Sequence, residues 1–170
     1  MDDFDRLEDS FRFEAILDAT PERVFRVFED PDSWPVWAGA IKKVTWTSPR
    51  PFQVGTTRDV DIIGGLTAHE NFFVWEPPYR MAFYFAGTNR PAVASLGEHY
   101  ELEPLDGGRT RLTWRVAYES RSFMRYAAPL LRPVVRLMGL RIVKGLERYV
   151  RALPITETPT RPSNGTTTYG

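Results

Sequence analysis

A chain of 170 residues, 42% apolar and 14% aromatic, is sized for one folded domain with a core of its own. Twenty-two basic residues balance twenty-two acidic ones, so bulk charge gives no pull toward nucleic acid. Without cysteine there is no disulfide framework, thiolate metal site or cysteine nucleophile, and without a leader-like start or an apolar run of about 18 residues a soluble cytoplasmic protein is the expectation.

Residues 1–10 carry Asp2, Asp3, Asp5, Glu8 and Asp9 against Arg6 and read as an acidic, flexible N-terminus. From Phe11 to Ala19 apolar and polar residues alternate, which predicts a half-buried strand. Thr20-Pro21-Glu22 then starts a helix: Thr20 suits the cap, Pro21 the first position and Glu22 the positive end of the dipole. Val24, Phe25, Val27 and Phe28 give it an apolar face, Asp30-Pro31 ends it, and a second short helix carries Trp34 and Trp37, read as core plugs.

Strands and turns follow. Ile41–Thr47, Thr56–Ile63, Leu66–Glu76, Arg80–Ala86, Ser95–Glu103 and Arg109–Glu119 are separated by breaks such as Gly64-Gly65, Pro77-Pro78 and Asp106-Gly107-Gly108. Seven strands joined mostly by hairpins predict an antiparallel sheet that twists and curves.

A long amphipathic helix closes the order, read from about Ser122 to Leu153, with its regular part starting near Pro129. Its apolar line is Leu130, Val134, Met138, Ile142, Gly145 and Tyr149, and residues 121–151 hold eight cations against Glu147. A solvated outer face, an acidic partner (including the acidic N-terminus) and an anionic membrane surface are three readings of that basic stripe. Residues 154–170, rich in Pro and Thr, read as a disordered tail, so the folded domain is expected at 11–153.

Several runs in this order resemble a known family. They are Asp18-Ala19-Thr20-Pro21-Glu22-Arg23-Val24-Phe25, Asp30-Pro31-Asp32-Ser33-Trp34-Pro35-Val36-Trp37, Val54-Gly55-Thr56, Trp75-Glu76-Pro77-Pro78-Tyr79-Arg80-Met81 and Gly107-Gly108-Arg109-Thr110-Arg111-Leu112-Thr113-Trp114. Together they resemble the polyketide cyclase/dehydrase-like branch of the START (Bet v 1-like, SRPBCC) superfamily over residues 11–152. The resemblance implies an α+β helix-grip fold, in which a seven-stranded antiparallel sheet wraps a long C-terminal helix around a hydrophobic pocket. It leaves function open, because the superfamily mixes lipid carriers, hormone receptors and cyclases.

Strand parity then nominates the pocket residues. Leu112, Trp114, Val116 and Tyr118 share one face, as do Leu96, Glu98, Tyr100 and Leu102, and Met81, Phe83 and Phe85. Ala68, Glu70, Phe72 and Val74 are preferred inward over His69 and Asn71, and Arg58, Val60 and Ile62 over Asp59 and Asp61; one bulge would invert either choice. His69 and His99 are placed outward, with no second ligand at metal spacing. No metal or cofactor site is expected, since GxSxG, HExxH and phosphate-cradling glycine patterns are absent.

An inward Glu98, with Glu70 and Arg58, must be paired, hydrogen-bonded, hydrated or protonated. The expected ligand wall comprises Arg58, Val60, Ile62, Phe72, Phe83, Glu98, Tyr100, Trp114, Tyr118, Val134, Met138 and Ile142. In the resembled hormone receptors the turn matching Gly64-Gly65-Leu66 acts as a gate, and here it could close the mouth with the Gly87–Val93 loop. Three functions remain open: a carrier or sensor of a small hydrophobic or amphipathic molecule (lipid, polyketide or aromatic); a cyclase or dehydratase using Glu98 or Glu70 as acid/base; and an antitoxin-like or stress-associated partner-binding module.

Overall fold

The computed structural model describes residues 10–89, 96–118 and 124–154, without the side chains of Ser10, Tyr118 and 124–131. The acidic N-terminus, residues 90–93 of the possible gate loop and the tail from 155 lie outside the described residues. In chain order the elements are β1 (Ser10–Leu17), α1 (Pro21–Glu29), α2 (Trp34–Trp37), β2 (Ile41–Trp46), β3 (Thr57–Ile62), β4 (Leu66–Glu76), β5 (Arg80–Thr88), β6 (Leu96–Leu105), β7 (Arg109–Tyr118) and α3 (Met124–Ala152). The strands form one antiparallel sheet in the order β1-β7-β6-β5-β4-β3-β2. Since β1 and β2 are its two edges, the segment α1–α2 has to cross between them and closes one end of the concave face.

Alternation builds the inner wall. Phe11, Phe13, Ala15 and Leu17 of β1 are buried, as are Leu112, Trp114 and Val116 of β7 opposite them. Each such apolar side chain withdrawn from water stabilises the fold by about 1.5–3 kcal/mol. On α1, Val24, Phe25, Val27 and Phe28 are buried on one helical face. Thr20 sits at the N-cap without a side-chain cap bond, because its hydroxyl serves Glu22, whose carboxyl it holds below the usual range.

Two strand expectations change. The β4–β5 register shifts between Phe72 and Val74, so Phe73 is exposed, Val74 pairs with outward Ala82, and Trp75 takes the inward place opposite Met81. That bulge reverses the parity expected for Val74. His99 does lie on the outer face, paired with Arg115 and Ala82, yet it is buried at 5% exposure and not solvated.

The long helix changes more. It begins at Met124 and runs unbroken through Pro129 and Pro133. Its buried residues are Gly139, Val143, Gly145, Leu146 and Val150, so Gly145 of the expected line is inward; Ile142 and Tyr149 of that line are half-buried, while Val134 and Met138 are exposed. Two glycines make close approaches to the rest of the fold. A Cβ built on Gly139 would stand 2.1 Å from the Phe13 ring, and one on Gly145 would stand 2.1 Å from the Trp37 carbonyl oxygen. The helix therefore seats where it has no side chain: Gly145 lies on the expected apolar line, whereas Gly139 lies off it. Just past its C-terminal end Arg23 of α1 donates to the Leu153 and Pro154 carbonyls at 2.6 Å, tying the chain there to α1.

Candidate functional site

The concave face carries three ionisable groups among aromatic rings. Arg58 of β3 and Glu70 of β4 are direct partners in the sheet register, and Arg58 Nε donates to Glu70 Oε2 at 2.5 Å. Both side chains are sealed, at 1% and 4% exposure. The guanidinium lies 4.2 Å from the Trp34 ring centre, 4.9 Å from Phe83, 5.1 Å from Phe72 and 5.3 Å from Trp46. Such faces attract a desolvated cation. Its Nη1 is buried with no hydrogen-bond partner among the described residues.

Glu98 of β6 opposes Phe83 of β5. The Tyr100 hydroxyl and the Trp114 Nε1 both donate to its Oε2, at 2.6 and 3.0 Å. Tyr100 and Trp114 are cross-strand partners with nearly parallel rings, 5.7 Å between centres. The tyrosine hydroxyl that alternation pointed at a ligand is thus already committed to the carboxylate.

One guanidinium cannot balance two buried carboxylates. Burial pushes the Glu70 carboxyl up to about 7 against the pull of Arg58, with the nearby Glu98 charge pushing the same way. Burial also raises Glu98, outweighing the Tyr100 and Trp114 hydrogen bonds, and holds the Tyr100 phenol well above its ordinary range. Near neutral pH the cluster can therefore retain a proton on a carboxyl. It presents a hydrogen-bond donor, a carboxylate and an unsatisfied guanidinium N–H in one apolar setting.

These groups line a cavity of about 130 Å³ bounded by Arg58, Val60, Ile62, Phe83, Glu98, Tyr100, Trp114 and Ile142 from the expected wall, with the acid/base candidate Glu70. Trp34, Trp37, Ala38, Ala40, Ile41 and Phe85 complete it. A larger groove of about 750 Å³ runs between α2, the β3–β4 turn and α3, and shares Trp37, Ala38, Ala40 and Ile142 with the cavity. Those four residues are the boundary between inner cavity and outer groove.

The remaining expected residues fall elsewhere. Phe72 is fully buried against the Arg58 guanidinium, Met138 lines only the outer groove, Val134 is exposed one turn beyond it, and the Tyr118 side chain is outside the described residues. Gly64 and Gly65 have φ of 82° and 77°, a conformation that favours glycine, and Ile63 beside them lines the groove. Leu66 is half-buried at the start of β4. Asn89 went unmarked in the sequence. Its side chain accepts from Thr67 N and donates to Gly65 O, both at 3.0 Å, tying the end of β5 to that turn. His69 lies 2.7 Å from Asp59 on the outer face, and no cluster of three metal-ligating side chains occurs among the described residues.

Residues 9–153 match the family described as polyketide cyclase/dehydrase and lipid transport. The chain belongs to that family. An uncharacterized protein of Mycobacterium tuberculosis is 44% identical to this family member over 142 residues, 84% of each chain. Among solved structures, a START superfamily protein from Mycobacterium smegmatis superposes with a TM-score of 0.70 at 12% identity, over 85% of this chain and 99% of the other. The Zhui aromatase/cyclase from a Streptomyces species superposes at 0.68 with 14% identity, over 84% and 93%. These likenesses establish the helix-grip fold of this polyketide cyclase/dehydrase family member.

Proposed function

We propose that this family member binds a small amphipathic molecule, seating a polar head against Arg58 and Glu98 and laying an apolar body along the groove beneath α3. The observation that carries this reading is the buried Arg58 Nη1 without a partner beside a cavity otherwise walled by rings. An unsatisfied buried donor costs about 1–3 kcal/mol, which an acceptor on a ligand would return. At about 130 Å³ the cavity is small beside ordinary ligand pockets of roughly 300–1,000 Å³, so it suits a head group, and the groove has room for the rest. Native mass spectrometry of the purified full chain, with organic extraction of anything retained, tests this. Co-purifying amphipathic molecules that are lost in Arg58→Met support it; a protein that takes up no hydrophobic probe defeats it.

A second reading has its own support: a carboxyl that burial pushes up to about 7, beside a guanidinium, is the equipment of acid–base catalysis near neutral pH. In a cyclase or dehydratase, Glu98 or Glu70 would protonate a leaving hydroxyl or a carbonyl oxygen while Arg58 stabilises developing negative charge. Turnover of a β-hydroxy carbonyl substrate that disappears in Glu98→Gln, with binding retained, would favour catalysis over carriage.

A further inference from the structure

Around the mouth of the groove, three separate elements expose large apolar side chains. Val36 of α2 is 69% exposed, Ile63 at the β3–β4 turn 53%, and Met138 and Val134 of α3 45% and 53%. Along α3, Val134, Met138, Arg141 and Arg148 are exposed on one side of the helix, beside Gly145, which packs against Trp37 of α2. Arg141 and Arg148 wall the groove behind the apolar tips, and no acidic side chain among the described residues lines it. Lys144 stands exposed between them. Arg151 is paired, reaching Asp18 at 3.1 Å, but Arg141, Lys144 and Arg148 make no ion pair with any described residue. The rim is thus apolar at its edge and cationic just behind.

We propose that this rim docks the mouth of the groove onto an anionic lipid bilayer, with Val36, Ile63, Val134 and Met138 entering the headgroup boundary and Arg141, Lys144 and Arg148 meeting lipid phosphates. Each part of the arrangement suits that occupant. Apolar side chains gain by leaving water, and each surface cation adds about 1 kcal/mol of attraction to anionic lipid. A second copy of the chain fits less well, since a two-fold contact through this rim would bring the same arginines of both copies together. Docking does not depend on the ligand reading, although the groove would then open toward the bilayer, where an amphipathic ligand resides.

The test is co-sedimentation of the full chain with vesicles of phosphatidylcholine alone and of phosphatidylcholine mixed with phosphatidylglycerol, at low and high salt, alongside its mass in solution. Binding is expected to the mixed vesicles and to fall with salt. Arg141→Ala and Arg148→Ala should each weaken it about fivefold, and Ile63→Asp should remove it without lowering the melting temperature, its side chain being exposed. Equal binding to both vesicle types, no binding, or variants indistinguishable from the parent overturn the proposal. So does a dimer that Ile63→Asp dissociates, since the rim would then be an interface between copies. Hydrophobic probe uptake measured without vesicles reads the ligand proposal separately, so either can fail alone.

Discussion

Arg58 and Glu70 face each other across adjacent strands and form a charged pair with both members out of reach of solvent. Burial of two charges is compensated only while both are present, and the ring faces of Trp34 and Phe83 above the guanidinium do not replace the carboxylate. Glu70→Gln alone should therefore cost about 3–5 kcal/mol in urea unfolding. The double variant Arg58→Met/Glu70→Leu should recover most of that loss. Equal destabilisation by the single and double variants would mean that the pair is not what holds this part of the sheet together.

Stability should fall as pH rises through neutrality. The folded-state value for Glu70, about 7, exceeds its reference value of 4.5, so the folded protein holds an extra proton between the two. The contribution is complete below the unfolded value and is lost as pH climbs through 7, to the extent of roughly 3 kcal/mol. Glu98 shifts in the same direction and adds to the slope. Melting temperatures measured from acid to mildly alkaline pH should decline less steeply for Glu98→Gln than for the parent; parallel curves would contradict the shift at Glu98.

Ile142 is one of the four residues shared by the inner cavity and the outer groove. Replacing it by Trp should block passage between them at a packing cost of about 1–3 kcal/mol. Trp34, Trp37 and Trp114 line the cavity, so intrinsic fluorescence reports its occupation directly. A probe that quenches the parent should leave Ile142→Trp unchanged while circular dichroism shows the fold retained. Unaltered quenching would place the ligand elsewhere.

Gly145→Ala offers a test of how the helix is seated. Alanine favours helix by about 1 kcal/mol, but here its methyl would stand 2.1 Å from the Trp37 carbonyl oxygen, a backbone atom that no rotamer can move. A net loss of about 1–3 kcal/mol is expected, seen as a lower denaturant midpoint. At Gly139 the obstacle is the Phe13 ring, a side chain and not backbone, so Gly139→Ala should be the milder change.

Asn89 fastens the β3–β4 turn through Thr67 and Gly65. Asn89→Ala should speed amide hydrogen exchange at Thr67 and around Gly64 and Gly65 while leaving the β6–β7 ladder protected. Unchanged exchange would mean that the two glycine conformations hold the turn by themselves.

Most of the fold was legible before any coordinates, because alternation leaves little choice where one face is apolar. In β1 and β7 every inward residue follows from period two, and Arg58 and Glu98 are carried onto the concave face by the same rule. Three things escaped it. The bulge beside Phe73 turned Val74 out and Trp75 in, which no repeat in the sequence announces. Nor does the repeat along β6 announce that His99, on the outer face between Ala82 of β5 and Arg115 of β7, is buried.

The third is the seating of α3. Its residues alone determined that a long, one-sided, basic helix would close the chain. They did not determine which side meets the sheet: the expected line holds at Gly145, but Gly139, Val143, Leu146 and Val150 beside it are the residues that go in, and Val134 and Met138 stay out. Likewise the sequence supplied the ionisable residues of the cavity, but which carboxylate the guanidinium neutralises depends on strand register and on distances of a few ångströms. Composition and periodicity record what a residue is and how often it recurs. Charge balance in a closed space depends on which side chains the fold brings within reach of each other.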